Sequence, residues 1–258
     1  EIHNPLALSK LIVENDVDIM TCTPSFLMNI IDMPEMRPAI ARIATYDIGA
    51  EAFPAALFEK IRAIRPDAHI MNGYGPSEAT ISCTMAVITS RDRVTIGRPA
   101  ANVRAYMLDS RSNVLPAGAT GEMALCGDGI GLGYIGLDDM TRDKFITING
   151  LRAYRTGDLA QWTMEGEIKF RGRTDNQVKL RGLRIELDEI ESAINAYPGV
   201  STSIVLVKGG ESNQFLAAYF TAADRIDRQA LTDHLAQRLT AYMVPSVIVQ
   251  LESMPLTA

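Results

Sequence analysis

The chain has 258 residues, which is enough for one large domain or two smaller ones. Its composition, 47% hydrophobic and 22% charged, is that of a folded globular protein and excludes a disordered or coiled-coil chain. The net charge of −6 gives no bulk attraction for nucleic acid or anionic lipid, and no apolar run reaches the ~18 residues of a membrane helix. Three widely spaced cysteines predict neither a disulfide framework nor a zinc site, so we expect a cytoplasmic protein.

The two ends of the sequence do not look like natural termini. The chain starts at Glu1 without methionine and shows no signal or transit segment. Residues 1–15 already follow a helical period, and the last four residues, PLTA, stop without a helix end or a tail. We therefore expect an internal piece of a larger protein.

The first 90 residues alternate between helical and strand patterns. Helices are predicted at residues 4–15, from Pro24, and from Pro54 to Pro66, and strands at residues 18–22, 43–48 and 68–71. This alternation predicts an α/β layer with a parallel sheet. Because such sheets bind ligands beyond the carboxyl ends of their strands, the loops after Cys22, Ile48 and Met71 are candidate sites.

The pattern then changes twice. Short alternating runs at residues 103–108, 121–125 and 168–170, separated by turn residues, predict antiparallel β structure. Beyond them, Asp188 and Glu191 suggest a helix with a capping box.

Two strands at 203–207 and 215–220, a helix carrying Leu231, Leu235 and Leu239, and a strand at 247–251 complete an α+β unit. The expected domains are residues 1–174 and 175–258.

The segment NGYGPSE, residues 72–78, is the first candidate site. Its glycines let the backbone approach a ligand, and the ring of Tyr74 can offer a stacking face. Ser77 can bond a phosphate and Glu78 can coordinate magnesium. The alternative is a tight turn in which Ser77 caps a helix, and this motif alone does not decide between them.

Two further glycine motifs invite a nucleotide interpretation. The glycine-rich run at residues 127–133 does not fit G-x-G-x-x-G, because Leu132 stands where glycine is required, so a packed β loop is predicted. Asp158 follows Gly157 and can accept hydrogen bonds from two vicinal ribose hydroxyls; the alternative is an aspartate that caps its own β-turn.

A basic stretch lies between the two predicted domains. It suits a solvated face, a phosphorylated ligand or, less well, nucleic acid, because no aromatic residues interleave the cations. Its members are Arg171, Arg173, Lys179, Arg181 and Arg184. The histidines, His3, His69 and His234, are isolated, which argues against a histidine metal site.

Taken in order, the motifs resemble the adenylation domains of nonribosomal peptide synthetases, within the adenylate-forming ligases. The resemblance rests on NGYGPSEAT, IGRPAANVRAYMLD, GEMALCGDGIGLGY, YRTGDL, GRTDNQVKLRGLRIELDEIE, YMVP and PLTA. It implies an α/β fold, with the C-terminal part of the large adenylate-forming domain followed by a small α+β domain.

The resemblance also implies a function. Such domains use ATP and Mg²⁺ to convert an amino acid to an aminoacyl-adenylate and then load it onto the phosphopantetheine thiol of a peptidyl carrier protein. A condensation domain and an MbtH-like protein are further implied partners, and neither nucleic acid nor membrane is expected.

Site residues follow from the matched motifs. The resemblance implies that Asn72 and Tyr74 hold adenine, Ser77 faces the phosphate and Glu78 holds magnesium. Asp158 and Arg173 would contact the ribose, with Phe170 beside the nucleotide. Asp175 would be the hinge and Gly182 would lie in the thiol-transfer loop, completing a catalytic set with Ser77 and Glu78. The implied substrate pocket contains Thr21, Asp47, Gly49, Gly73, Ile81 and Ser82.

The sequence also departs from the family pattern. The phosphate loop, the aspartate that pairs with the substrate amine and the lysine expected just after PLTA are not among these 258 residues, so we expect the chain alone to be inactive. A ligase that loads coenzyme A and a non-catalytic nucleotide-binding relic remain alternatives. Asp47 predicts a cationic or polar substrate side chain, unless the carboxylate is paired within the protein.

Overall fold

The computed structural model describes residues 4–210 and 214–255. His3 and the last three residues of the PLTA motif lie outside these ranges. The chain divides into two compact units between Asp175 and Asn176, and each unit is described by itself below. Within the described ranges, no helix is both long and apolar enough to cross a bilayer.

The first unit begins with a five-stranded sheet in the order β1-β2-β3-β4-β5. The first three strands are parallel, and the last two are added antiparallel. The strands are β1 (Ile19–Cys22), β2 (Thr45–Gly49), β3 (His69–Tyr74), β4 (Thr84–Val87) and β5 (Arg98–Pro99). The helices are α1 (Pro5–Glu14), α2 (Pro24–Ile30), α3 (Arg37–Arg42) and α4 (Ala55–Ile64), with 3-10 turns at Pro34–Met36 and Ser77–Ala79.

The predicted parallel α/β layer is therefore confirmed. Because successive side chains of a strand point to opposite faces of the sheet, every second residue of these strands faces the core. Tyr46, Ile48 and Ile70 point to the same face and are fully buried against helices such as α4, which contributes Leu57 and Ile61. The opposite face of these strands carries four of the six predicted pocket residues and is more accessible.

A second, antiparallel sheet follows in the order β10-β9-β7-β6, with β8 paired to β9. Its strands are β6 (Arg104–Leu108), β7 (Thr120–Cys126), β8 (Phe145–Ile148), β9 (Leu151–Trp162) and β10 (Ile168–Arg173). The predicted antiparallel segment is confirmed. The glycine run at 127–133 is a loop, as predicted, but it leads to a short helix, α5 (Asp138–Lys144), and not directly to a strand.

The second unit has the predicted α+β order. A hairpin of β11 (Gln177–Leu180) and β12 (Leu183–Glu186) precedes a three-stranded sheet in the order β13-β14-β15. The remaining elements are α6 (Leu187–Asn195), β13 (Val200–Lys208), β14 (Phe215–Ala222), α7 (Arg228–Ala236), a 3-10 turn at Ala241–Met243 and β15 (Val247–Leu251). The two helices bury Ile190, Ile194, Leu231 and Leu235 against this sheet.

Two local predictions for this unit are wrong. Asp188 and Glu191 do not form a capping box, because Glu191 accepts the amide of Val205 at 2.8 Å and Asp188 accepts the side chain of Asn176 at 3.0 Å. Leu239 does not belong to α7, which ends three residues earlier, although its side chain is buried. In both cases contacts with other elements replace the local pattern.

Candidate functional site

Asp158 lies at a bulge within β9. The pairing of β7 with β9 shifts between Glu122 and Ala124, so that extra residues of β9 are accommodated there. Gly157 has φ +73°, and a Cβ atom at this position would lie 2.7 Å from Nη2 of Arg173 and 2.8 Å from Oδ2 of Asp175. Glycine is therefore favoured here by the backbone conformation, and a side chain would displace the ends of Arg173 and Asp175.

Asp158 is only 4% exposed. The hydroxyl of Tyr74 donates to Oδ2, and Nη1 of Arg173 donates to Oδ1 at 2.5 Å. Burial, followed by the charge of Asp158, raises the pKa of Tyr74 well above its ordinary value, which keeps the phenol a donor. The alternative that Asp158 caps its own turn is wrong, since its side chain is engaged by distant residues.

Arg173 extends this network to the boundary of the first unit. Its Nε and Nη2 atoms donate to the two carboxylate oxygens of Asp175 at 2.6 and 2.9 Å, and Nη2 also contacts the carbonyl oxygen of Thr156 at 3.3 Å. The planar guanidinium thus bridges two carboxylates, a geometry that suits arginine better than lysine. A continuous chain of contacts joins Tyr74, Asp158, Arg173 and Asp175.

Glu78 lies in the 3-10 turn that follows β3. Its Oε1 accepts the hydroxyl of Tyr134 at 2.7 Å, and its carbonyl oxygen accepts the amide of Gly131 at 2.8 Å. The residue that caps this turn is Pro76, and Ser77 is exposed and makes no capping bond, so the capping alternative for Ser77 is wrong. Ser77 is accessible to a phosphate, and that role stays a prediction.

The predicted adenine contacts are more buried than the sequence suggested. Asn72 is 4% exposed, and its side-chain amide donates to the carbonyl oxygen of Thr95 at 2.7 Å. Tyr74 is 7% exposed, and its ring belongs to an apolar cluster with Met107 and Leu125. A broad stacking face on Tyr74 is therefore not presented. Phe170, at 38% exposed, has an accessible ring.

The parallel register gathers four predicted pocket residues on one face of the sheet. Thr21 pairs with Asp47, and Gly49 pairs with Gly73. A Cβ atom on Gly73 would lie 3.4 Å from Oδ1 of Asp47, and a Cβ atom on Gly49 would lie 2.7 Å from the carbonyl oxygen of Gly73. Close backbone packing thus requires glycine at position 49, and the missing side chain also leaves room for a ligand.

The other two pocket residues follow the 3-10 turn. Ile81 has φ +67° and is 73% exposed, and Ser82 is also exposed. Thr80, with φ +61°, donates its hydroxyl to the carbonyl oxygen of Gly129 at 2.7 Å. Two consecutive β-branched residues in the left-handed region mark a backbone held by its surroundings. Substrate contact for all six pocket residues stays a prediction.

The remaining predicted residue, Gly182, lies in the second unit. With Arg181 it forms the two-residue turn between β11 and β12, and both residues have positive φ, +54° and +77°, as a type I′ hairpin turn requires. Elsewhere in the basic stretch, Arg171 bonds Gln161 at 2.6 Å and Arg184 bonds Glu186 at 3.0 Å. Arg173 is the member of that stretch that contacts Asp158.

Glu78 suits a magnesium ion that is also held by the phosphates of a bound nucleotide. Among the described residues, no group of three or more histidine, cysteine, aspartate or glutamate side chains could enclose a metal. Magnesium in phosphoryl-transfer enzymes is commonly held by one or two carboxylates together with substrate phosphates. A single oriented carboxylate such as Glu78 suits that arrangement.

Sequence reasoning missed Tyr134 as a site residue. It lies within the motif GEMALCGDGIGLGY, but its partner Glu78 is 56 residues away along the chain. No local periodicity or residue spacing predicts a contact over that distance. The glycines next to Tyr134 were the nearest sequence feature that could have drawn attention to it.

Comparison with known protein families gives the class of this protein. Residues 2–135 match the family described as AMP-binding enzyme, and residues 189–258 match the AMP-binding enzyme C-terminal domain. The chain belongs to the AMP-binding enzyme family.

Its relatives include a synthase and a tripeptide synthetase that are both much longer than this chain. The chain is 37% identical to tyrocidine synthase 3 of Brevibacillus parabrevis over 99% of its own length and 4% of the relative. It is 38% identical to the phosphinothricin tripeptide synthetase PhsC of Streptomyces viridochromogenes over 96% of its length and 23% of the relative. The chain thus spans less than a quarter of either protein.

Solved structures agree with this assignment. Holo-PA1221, described as a nonribosomal peptide synthetase protein containing adenylation and PCP domains, aligns with a TM-score of 0.88 at 29% identity, covering 99% of this chain and 45% of that one. AB3403, a four-domain nonribosomal peptide synthetase bound to AMP and glycine, aligns at 33% identity with a TM-score of 0.61, covering 99% of this chain and 19% of that one. The predicted resemblance and fold class are confirmed.

Proposed function

We propose that this chain takes part in the ATP-dependent activation of an amino acid and in its transfer to the phosphopantetheine thiol of a peptidyl carrier protein. The observation that carries the proposal is the buried carboxylate of Asp158, held between Tyr74 and Arg173 in a chain of the AMP-binding enzyme family. An aspartate in this setting is suited to bind the vicinal hydroxyls of a ribose.

The geometry around Asp158 supports a binding role. A carboxylate has about four acceptor positions, so bonds from Tyr74 and Arg173 are compatible with further bonds from two hydroxyls. Because the group is buried, such charge-assisted bonds are stronger than they would be in water. Arg173 balances the buried charge, and Gly157 lets the guanidinium approach the strand.

The proposed chemistry has two steps. A carboxylate oxygen of the amino acid forms a bond to the α-phosphorus of ATP while the bond to the leaving pyrophosphate breaks. The thiol sulfur of the carrier, as its proton leaves, then forms a bond to the carbonyl carbon of the adenylate, and AMP departs. Magnesium, when bound, supplies positive charge to the phosphate oxygens. Glu78 would hold that ion, and Asp158 would hold the nucleoside in register.

Similarity to known proteins supports an amino acid as the substrate and a carrier protein as the partner. One named relative is a tripeptide synthetase, and PA1221 is a nonribosomal peptide synthetase protein that contains adenylation and PCP domains. A condensation domain and an MbtH-like protein are proposed on the family resemblance alone.

The test is amino-acid-dependent exchange of pyrophosphate into ATP, measured with the protein that carries this chain. A panel of the standard amino acids and ornithine should contain at least one substrate that stimulates exchange clearly above the rate without amino acid. Loading assays with a phosphopantetheine-bearing carrier and with free coenzyme A then compare the two possible thiols. Exchange with no member of the panel would contradict the proposal, and preferential loading of coenzyme A would replace the carrier step.

A further inference from the structure

Glu78 is fixed through both its side chain and its backbone. The hydroxyl of Tyr134 donates to Oε1 at 2.7 Å, and the amide of Gly131 donates to the carbonyl oxygen at 2.8 Å. Both donors come from the segment that follows β7, which lies against the 3-10 turn at Ser77–Ala79. This segment therefore sets the orientation of the Glu78 carboxylate.

Tyr134 is in turn held by several neighbours. Its amide donates to Oγ1 of Thr141 at 2.9 Å, and its ring meets Phe145 edge-on, with ring centroids 5.5 Å apart. Its hydroxyl oxygen lies 3.3 Å from that of Tyr154. Gly133 allows the approach of Thr141, because a Cβ atom there would lie 2.4 Å from Cγ2 of that threonine.

Arg152 holds the same segment from the neighbouring strand. Its Nε and Nη2 atoms donate to the carbonyl oxygens of Gly131 at 3.1 Å and Leu132 at 2.5 Å. The guanidinium also lies over the ring of Phe145, 4.8 Å from its centroid. These contacts of Arg152 anchor the loop that positions Tyr134 to the β sheet.

We infer that Tyr134 is a positioning residue that orients the carboxylate of Glu78 for a divalent cation. The inference rests on the proposed function, in which Glu78 holds magnesium. One hydrogen bond at Oε1 uses one of about four acceptor positions and is compatible with coordination of a cation. Residues that orient ligating carboxylates through hydrogen bonds typically change metal affinity or activity by about 10- to 100-fold when they are removed.

The test replaces Tyr134 by phenylalanine, which removes the hydroxyl and keeps the ring against Phe145. The first measurement is binding of Mn²⁺ by electron paramagnetic resonance in the presence of a non-hydrolysable ATP analogue. The second is the Mg²⁺ concentration that gives half-maximal pyrophosphate exchange. We expect Tyr134→Phe to weaken Mn²⁺ binding about 10-fold and to raise the Mg²⁺ requirement by a similar factor. At saturating Mg²⁺ the KM for ATP should be unchanged.

Two comparison variants make the result specific. Tyr106→Phe removes a hydroxyl from a half-buried tyrosine of β6 and should leave Mn²⁺ binding unchanged. In a Glu78→Gln background, Tyr134→Phe should cause no further loss, because the effect must pass through the carboxylate.

The outcomes separate this inference from the proposed function. Unchanged Mn²⁺ affinity in Tyr134→Phe overturns the inference, as does an equal loss in the Glu78→Gln background or a loss of exchange that excess Mg²⁺ does not restore. Wild-type protein that binds Mn²⁺ with the analogue but exchanges pyrophosphate with no amino acid would contradict the proposed function alone. Wild-type protein that binds no Mn²⁺ would overturn both.

Discussion

Substitution of Asp158 by alanine tests the centre of the proposed site. Asp158 is 4% exposed, and the change removes its carboxylate, which accepts hydrogen bonds from Tyr74 and Arg173. If this carboxylate binds two ribose hydroxyls, both bonds are lost. Charge-assisted hydrogen bonds contribute about 1.5–3 kcal/mol each, so about 3–6 kcal/mol of ATP binding is at stake. At about 1.4 kcal/mol per tenfold, the KM for ATP should rise roughly 10²- to 10⁴-fold.

The amino acid should be affected much less. Its KM, measured at saturating ATP in the same exchange assay, should change by less than about threefold, since Asp158 is proposed to contact only the nucleoside. Asp158→Asn keeps the volume and one acceptor and should give a smaller rise in the KM for ATP. Calorimetric titration with AMP checks the same loss without turnover.

Folding must be measured alongside binding. Arg173 keeps its fork to Asp175 in either variant, so we expect Asp158→Asn to lower the free energy of unfolding by only about 1–3 kcal/mol. Asp109→Asn is the matched control, because that carboxylate serves only the amides of Arg111 and Asn113 in its own turn among the contacts described. An unchanged KM for ATP in a folded Asp158→Ala protein would refute the ribose role.

Three further predictions concern the hinge, the pocket and the thiols. Asp175→Pro fixes φ near −65° and should impair adenylation and thiol loading to different extents, measured by exchange and by carrier acylation; equal losses would indicate misfolding. Asp47→Asn should lower kcat/KM for a cationic or polar substrate and shift preference toward neutral ones in a competition panel; an unchanged preference for an aliphatic amino acid would contradict the pocket role. Burial raises the pKa of Cys22 to about 12 and of Cys83 to about 11, and burial also raises the pKa of Cys126, so native protein at pH 8 should react with Ellman's reagent far more slowly than urea-unfolded protein. The thiols of the unfolded state have a pKa near 9.0, so they lose their protons before the buried thiols do. The urea concentration at the midpoint of unfolding should therefore decrease as the pH is raised from 8 to 10. A midpoint that increases over this range would contradict the burial of the thiols.

The sequence by itself determined the order of elements. Strand alternation and helical spacing are local properties, and they correctly placed the parallel layer, the antiparallel segment and the small α+β unit. The chain divides one residue beyond the expected boundary at Thr174, at the end of Asp175. The glycine of the Arg181-Gly182 turn also has a local explanation, since the turn needs positive φ at both positions.

Local signals failed where a distant group competes for the same atoms. The spacing of Asp188 and Glu191 suits a capping box, but the amide of Val205 on β13 takes the carboxylate of Glu191. The glycine before Asp158 suits a turn, yet Gly157 lies inside a twelve-residue strand whose bulge is fixed by β7 and by Arg173. Tertiary partners outweigh such preferences because each local bond contributes only about 1 kcal/mol.

The site itself was decided by the tertiary structure. Tyr74 and Asp158 are 84 residues apart, and Glu78 and Tyr134 are 56 apart, so their contacts exist only once the sheets and loops have packed. The sequence supplied residue types that can hold a nucleotide and a cation. Packing determined which side chains became buried, and burial makes a donor or acceptor costly to leave unsatisfied, which fixed each carboxylate to its particular partner.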